Sequence, residues 1–155
     1  MARSEHLPIY RASYDLCLYI KQLVQKFSRY HKYAIGAEVR ETARRVLTLV
    51  VRANSRRDKR GVLLTLREEI ETLTVLLRLA HDVHALPSFT AFEHAMRLAT
   101  DVARQNEGWL KSQQQGRGAS SSRLRPINGE RQSSVQVSQM VATRRSAAGS
   151  LLSAT

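Results

Sequence analysis

The stretch "VRETARRVLTLVVRANSRRDKRG", residues 39–61, decides how the chain is read. At a helical step of about 100° per residue, Val39, Ala43, Val46, Val50 and Ala53 fall on one face, and arginines occupy the remainder. That spacing predicts an amphipathic helix from about residue 34 to residue 54, the second of the chain. Arg40 and Arg44 share one flank, while Arg45, Arg52 and Arg56 share the other. Arg57, Lys59 and Arg60 continue the run, against Glu41 and Asp58 as its only acids.

The same periodicity extends on both sides. Upstream, Pro8 suits a first helical turn, and Ile9, Leu16, Ile20, Leu23 and Phe27 follow at helical spacing on one face. Cys17 sits beside Leu16 and Ile20, where it reads as a small buried hydrophobe. Downstream, a third helix from about residue 58 to residue 85 carries Leu66, Ile70, Leu73, Leu77 and Ala80 in register. Leu76, Leu79 and Val83 widen that face, so this helix is either the most buried of the set or also part of a subunit contact. "LPS" at 86–88 is a break, with Ser88 or Thr90 as N-cap and Thr90–Glu93 matching a capping box. The fourth helix then runs through Phe89, Phe92, Met96, Ala99, Val102 and Ala103 to "GWLKS" at 108–112. Four helices of about 30 Å with short connections predict an all-α fold, an antiparallel up-down four-helix bundle over residues 1–112. Trp109 is expected to close one end of the bundle. Gly108 weakens the helix by up to about 1 kcal/mol, which suggests a close approach to a neighbouring helix or subunit.

Beyond Ser112 the composition shifts to Ser, Gly, Gln and Arg, with no aromatic residue. Residues 113–155 therefore read as a mostly disordered tail, with a short inducible helix or strand within Val135–Leu152. The 155 residues carry 25 Lys and Arg against 13 Asp and Glu, a formal net charge of +12 shared between bundle and tail. Such a balance favours a polyanion, an anionic surface or an acidic protein as partner. One cysteine excludes an internal disulfide and fits a reducing, cytoplasmic setting. The opening "MARSEHLPIY" lacks the apolar segment of a signal peptide, and no run is long enough to span a membrane.

Two readings of the arginine stripe compete. A solvated helix face is the commoner meaning of a charge run, with the long stems covering apolar surface. Against it, Arg40–Arg44 and Arg52–Arg56 are like-charge pairs at i,i+4, each unfavourable by about 0.2–0.5 kcal/mol. Glu93–Arg97, Glu107–Lys111 and Glu41–Arg45 instead have the favourable order. Six of the seven cations at 44–60 are arginine, which suits bidentate phosphate contact. No aromatic residue interleaves with these arginines, so the stripe itself offers phosphate contact and not base stacking.

Signs of catalysis are weak. His81 and His84 read as partners of a helix C-terminus, since no Glu-x-x-His motif accompanies them. Glu68, Glu69 and Glu71 complement the early turns of the third helix. No glycine-rich phosphate loop or catalytic serine motif occurs. The residues predict no enzyme, no cofactor and no metal.

The opening "LPIY", "HKYAIGAEVR" at 31–40, the leucine-rich third helix and the terminal "GWLKS" together resemble a bacterial four-helix-bundle family over residues 6–112. That family comprises the ribosomal-RNA intervening-sequence proteins and the accessory variability determinants of diversity-generating retroelements. The pattern across the third and fourth helices is more similar to the latter. The resemblance implies a basic homopentamer that binds a reverse transcriptase with its template RNA and cDNA, and supports mutagenic reverse transcription without catalysing it. It implies that Arg40, Arg44, Arg45, Arg52, Arg56, Arg57, Lys59 and Arg60 face nucleic acid or polymerase. Leu76, Leu79, Val83, Gly108 and Trp109 would then pack subunits or a bundle end. The alternative is an oligomeric protein-interaction scaffold that binds no nucleic acid; a membrane-surface role is weaker, because the basic helix lacks an aromatic apolar face.

Overall fold

A computed structural model describes residues 4–121, with side chains as far as Gln115. After a 3-10 turn at Ser4–His6 come α1 (Pro8–Gln25), the five-residue α2 (Arg29–Tyr33), α3 (Ile35–Ser55), α4 (Arg60–Asp82) and α5 (Phe89–Ser121). The four long helices form the predicted all-α bundle. The expected inducible segment at 135–152 lies outside the described residues.

Pro8 occupies the first turn of α1, where its missing N–H is no loss. All five predicted apolar positions are buried, four within α1 and Phe27 just past its end, and Ser13 and Val24 join them. The stripe of α3 is likewise buried, every member at 0–1% exposure. Burial is densest in α3 and not in α4: nine of 21 residues in α3 are buried, against six of 23 in α4. The reason is position, because α3 packs against α1, α2 and α4. Leu76 packs on the core, but Leu79 and Val83 face outward at 49% and 39% exposure, with Val75 at 60%. The surplus apolar surface of α4 is thus external.

The seam of α5 is displaced from its expected line. Ala95, Ala99, Val102, Asn106 and Leu110 fill the core, whereas Phe92, Met96 and Ala103 flank it and Phe89 is exposed. Small side chains at the centre let α5 approach its neighbours closely, and the larger rings are pushed to the margins. The Asn106 amide donates to the Leu63 carbonyl at 3.0 Å, tying α5 to the first turn of α4. Tyr19 donates its hydroxyl to the Ala91 carbonyl at 3.2 Å and sets its ring edge-on to His94, tying α5 to α1.

The turns are built by specific groups. Ser88 caps α5, accepting from the Ala91 N–H at 3.2 Å, so the Thr90–Glu93 capping box does not form. At the end of α4, His84 takes a left-handed conformation (φ 56°). The Ala85 N–H donates to the Ala80 carbonyl and the His84 N–H to that of His81. This is the paired closure of a Schellman motif, with a histidine where glycine is usual. His81 lies against the rings of Phe89 and Phe92, which leaves it a packing role.

Between α1 and α3 lies a corner that the periodicity missed. α2 closes against the start of α3, and Gly36 makes this possible. A Cβ at Gly36 would stand 2.7 Å from Val24 Cγ1 and 3.0 Å from the His31 carbonyl oxygen. The glycine of "HKYAIGAEVR" therefore serves a close approach.

Candidate nucleic-acid interface

The C-terminal end of α3 and the turn into α4 gather most of the predicted cations. Arg56 leaves the helix in an extended conformation, its N–H still bonded to the Ala53 carbonyl. Lys59 donates from Nζ to the Arg56 carbonyl at 2.9 Å, which satisfies an acceptor at the helix end. The same ammonium lies 5.8 Å from the centre of the Trp109 ring, within cation–π range. The Arg60 N–H reaches the Asp58 carboxylate at 3.4 Å. Lys59 is thus held by its carbonyl and ring contacts, while Arg52, Arg56, Arg57 and Arg60 are exposed around it.

The ion pairs divide the arginines into two groups. Arg45 reaches across to α4, bonding Glu69 at 3.0 Å and Thr42 at 3.1 Å, in place of the expected Glu41. Glu41 takes Arg44. Arg67 of α4 grips Glu107 of α5 through two bonds of 2.6 Å, displacing the expected Glu107–Lys111 pair. That hydrogen bond holds the Glu107 carboxyl below its ordinary value, against the opposing effect of partial burial. Bidentate geometry across two helices outcompetes a single contact along one. Glu93–Arg97 forms as expected, at 3.4 Å. Arg40, Arg52, Arg56 and Arg57 enter none of the ion pairs found among the described residues.

Arg40 and Arg44 stand apart from the turn, on the α1 side of α3. With Lys21, Ala37 and Glu41 they line a cleft of about 480 Å³ beside Cys17. Cys17 is only half-buried, and not the enclosed core residue expected of it. Burial still raises its thiol above the ordinary value, over the opposing pull of Arg44 and Lys21.

The residues expected at a subunit contact or bundle end do not form one cluster. Leu79 and Val83 lie on the outside of α4, whereas Trp109 lies at the turn end of α5. Trp109 is half-buried and walls an open apolar recess of about 420 Å³ with Leu7, Pro8, Ile9 and Gln105. Among the described residues a Cβ at Gly108 would meet nothing within 4 Å, so that glycine serves no close approach to any of them. Among the described residues, no group of three or more metal-ligating side chains comes together, and no helix is long and apolar enough to cross a membrane.

Comparison with known proteins returns no significant match among curated sequences. A family model described as bAvd-like, however, matches residues 8–113, which takes in the four-helix bundle almost from end to end. On this match over most of the bundle, the chain belongs to the bAvd-like family, the bacterial accessory variability determinants of diversity-generating retroelements.

Proposed function

We propose that this chain is a non-catalytic accessory protein of a retroelement, acting in the cytoplasm, that binds a reverse transcriptase together with template RNA and cDNA. The observation that carries this reading is the set Arg52, Arg56 and Arg57, exposed and outside the ion pairs of the described residues. Elsewhere the bundle uses arginine to join helices, as Arg45 and Arg67 do. Leaving several guanidinium groups together and unneutralised is unfavourable unless an anion meets them. Phosphate contacts of this kind bind with little sequence preference and weaken steeply with salt. The basic segment 113–155 adds to the same attraction.

Self-assembly into a ring, with a homopentamer as the expected state, accords with the external apolar residues. Tyr14 and Leu18 on α1 and Val75 and Leu79 on α4 are exposed on two different helices, each of which packs against α3. Two distinct patches joined head to tail make a heterologous interface, which closes into a ring when the rotation permits.

The test is RNA binding by the full chain across a salt series, compared with the double variant Arg52→Ala, Arg56→Ala. The expected result is roughly tenfold weaker binding, with a salt slope smaller by about two and an unchanged helical spectrum. Unchanged binding by a folded variant would remove the stripe from the interface. A wild-type chain that assembles but binds no RNA at low salt would favour the protein-interaction scaffold, which the apolar faces of α1 and α4 also suit.

A further inference from the structure

The corner between α1 and α3 presents a surface unlike the arginine end. Its helix reads Arg29-Tyr30-His31-Lys32-Tyr33, and Tyr30 and Tyr33 are 79% and 73% exposed. Three residues apart, they rise from one side of a single helical turn. Tyr30 and His31 meet in a T-shaped arrangement with ring centres 5.2 Å apart, and most of Tyr30 stays open to solvent. The cations Lys26 and Arg29 are exposed beside them and Lys32 is half-exposed. From Leu16 to Ala37 the chain contains no carboxylate. The acids that bound it are Asp15 and Glu38, followed by Glu41, which is engaged by Arg44 in the cleft that also holds Lys21 and Arg40.

We propose that this corner is a stacking platform for single-stranded nucleic acid: Tyr30 and Tyr33 receive unpaired bases while Lys26, Arg29 and Lys32 hold the backbone. It rests on the nucleic-acid reading given above and deepens it by naming the strand state. Aromatic faces interleaved with cations are the composition of single-strand sites, because every base has a face to stack and a duplex keeps those faces occupied. The platform is rigid enough to serve. The two tyrosines flank His31, whose carbonyl closes on Gly36, and Gly36 in turn packs against Val24 and Phe27, both buried. The backbone that carries the rings is thus fixed, so only the side chains need to be ordered when a base settles on them. The exposed phenols also explain why such large rings are tolerated in water: each keeps its hydroxyl solvated while its face stays available.

The experiment compares the full chain with Tyr30→Ala, Tyr33→Ala and with Tyr30→Phe, Tyr33→Phe, binding an unstructured oligouridine and a DNA duplex of equal length. Circular dichroism checks that each variant is folded, which the exposure of both residues favours. The alanine variant is expected to lose at least about fivefold per tyrosine on oligouridine, with duplex binding and salt slope unchanged, and the phenylalanine variant to retain wild-type affinity. If the wild-type chain binds oligouridine and the alanine variant binds it equally well, the platform is overturned while the wider reading stands. If the alanine variant loses self-association but not oligouridine binding, the corner is a protein contact and the proposal fails. If the wild-type chain binds neither nucleic acid at low salt, the wider reading fails and takes this one with it.

Discussion

At the α3–α4 end of the bundle, Arg52, Arg56 and Arg57 extend from a tight turn, and Trp109 lies half-buried beneath Lys59. At the α1–α3 end, the cations of α2 alternate with tyrosines whose rings face outward. Both ends carry exposed cations, but under the proposed function they would address different features of a polyanion. Guanidinium groups on a helix meet phosphates whatever the strand state, whereas open tyrosine faces gain only from unpaired bases. On the proposed reading, a bundle about 30 Å long would hold backbone attraction and recognition of single strands at separate ends.

The comparison breaks most readily at Trp109. Trp109→Ala is expected to lower stability by about 2 kcal/mol, short of the 3–5 kcal/mol of a fully buried tryptophan, because the ring borders an open recess. The denaturant midpoint should fall with an unchanged slope. A loss within the full range would show that another copy covers the recess, and no loss would show that the ring does not hold the turn end together.

Gly36→Ala sharpens the contrast from the other side. The new Cβ would press on buried Val24, an overpacking cost of about 1–3 kcal/mol, offset by up to about 1 kcal/mol of helix propensity. A net loss of about 1 kcal/mol is expected, with weaker oligouridine binding and intact duplex binding. Equal effects on both ligands would mean that the two ends do not act separately.

Smallest is the effect of Glu107→Gln, which tests how the turn end is braced. Arg67 holds the Glu107 carboxyl below its unfolded value, so the pair stabilises the fold above the ordinary carboxylate range and loses that contribution as pH falls through the depressed folded value. The melting temperature of wild type should exceed that of the variant near neutrality, and the gap should close in acid, below about pH 4. A gap that does not depend on pH would assign the pair a packing role.

The bundle itself was legible because α1, α3 and α4 obey one period with apolar residues in nearly every core seat. The line of α5 was not, for a physical reason. Phe89, Phe92 and Met96 are the most hydrophobic residues of its first turns, yet the narrow core takes alanines and Asn106, and hydropathy does not foresee a polar amide in a core seat. The ion pairs show the same limit. Spacing along one helix finds Glu93–Arg97, but Arg45–Glu69 and Arg67–Glu107 depend on how helices face each other. The arginine run was visible at once, whereas its division into bracing and unpaired members needed the packing. Five residues of α2 are too few to show a period, so the corner with Tyr30 and Tyr33 leaves no trace in the hydropathy pattern beside Gly36.

The placement of α3 between α1 and α4 also bears on how the chain reaches its structure. Helices that pack on their neighbours in sequence close short loops, which is the topology of rapid folding. The exception is the seam between α1 and α5, where the Tyr19 hydroxyl meets the Ala91 carbonyl across 72 residues. Changes along the buried stripe of α3 would then act chiefly on the rate of folding, and changes at the α1–α5 seam on the rate of opening. The lifetime of the bundle, as distinct from its stability, would then be set where its first and last helices meet.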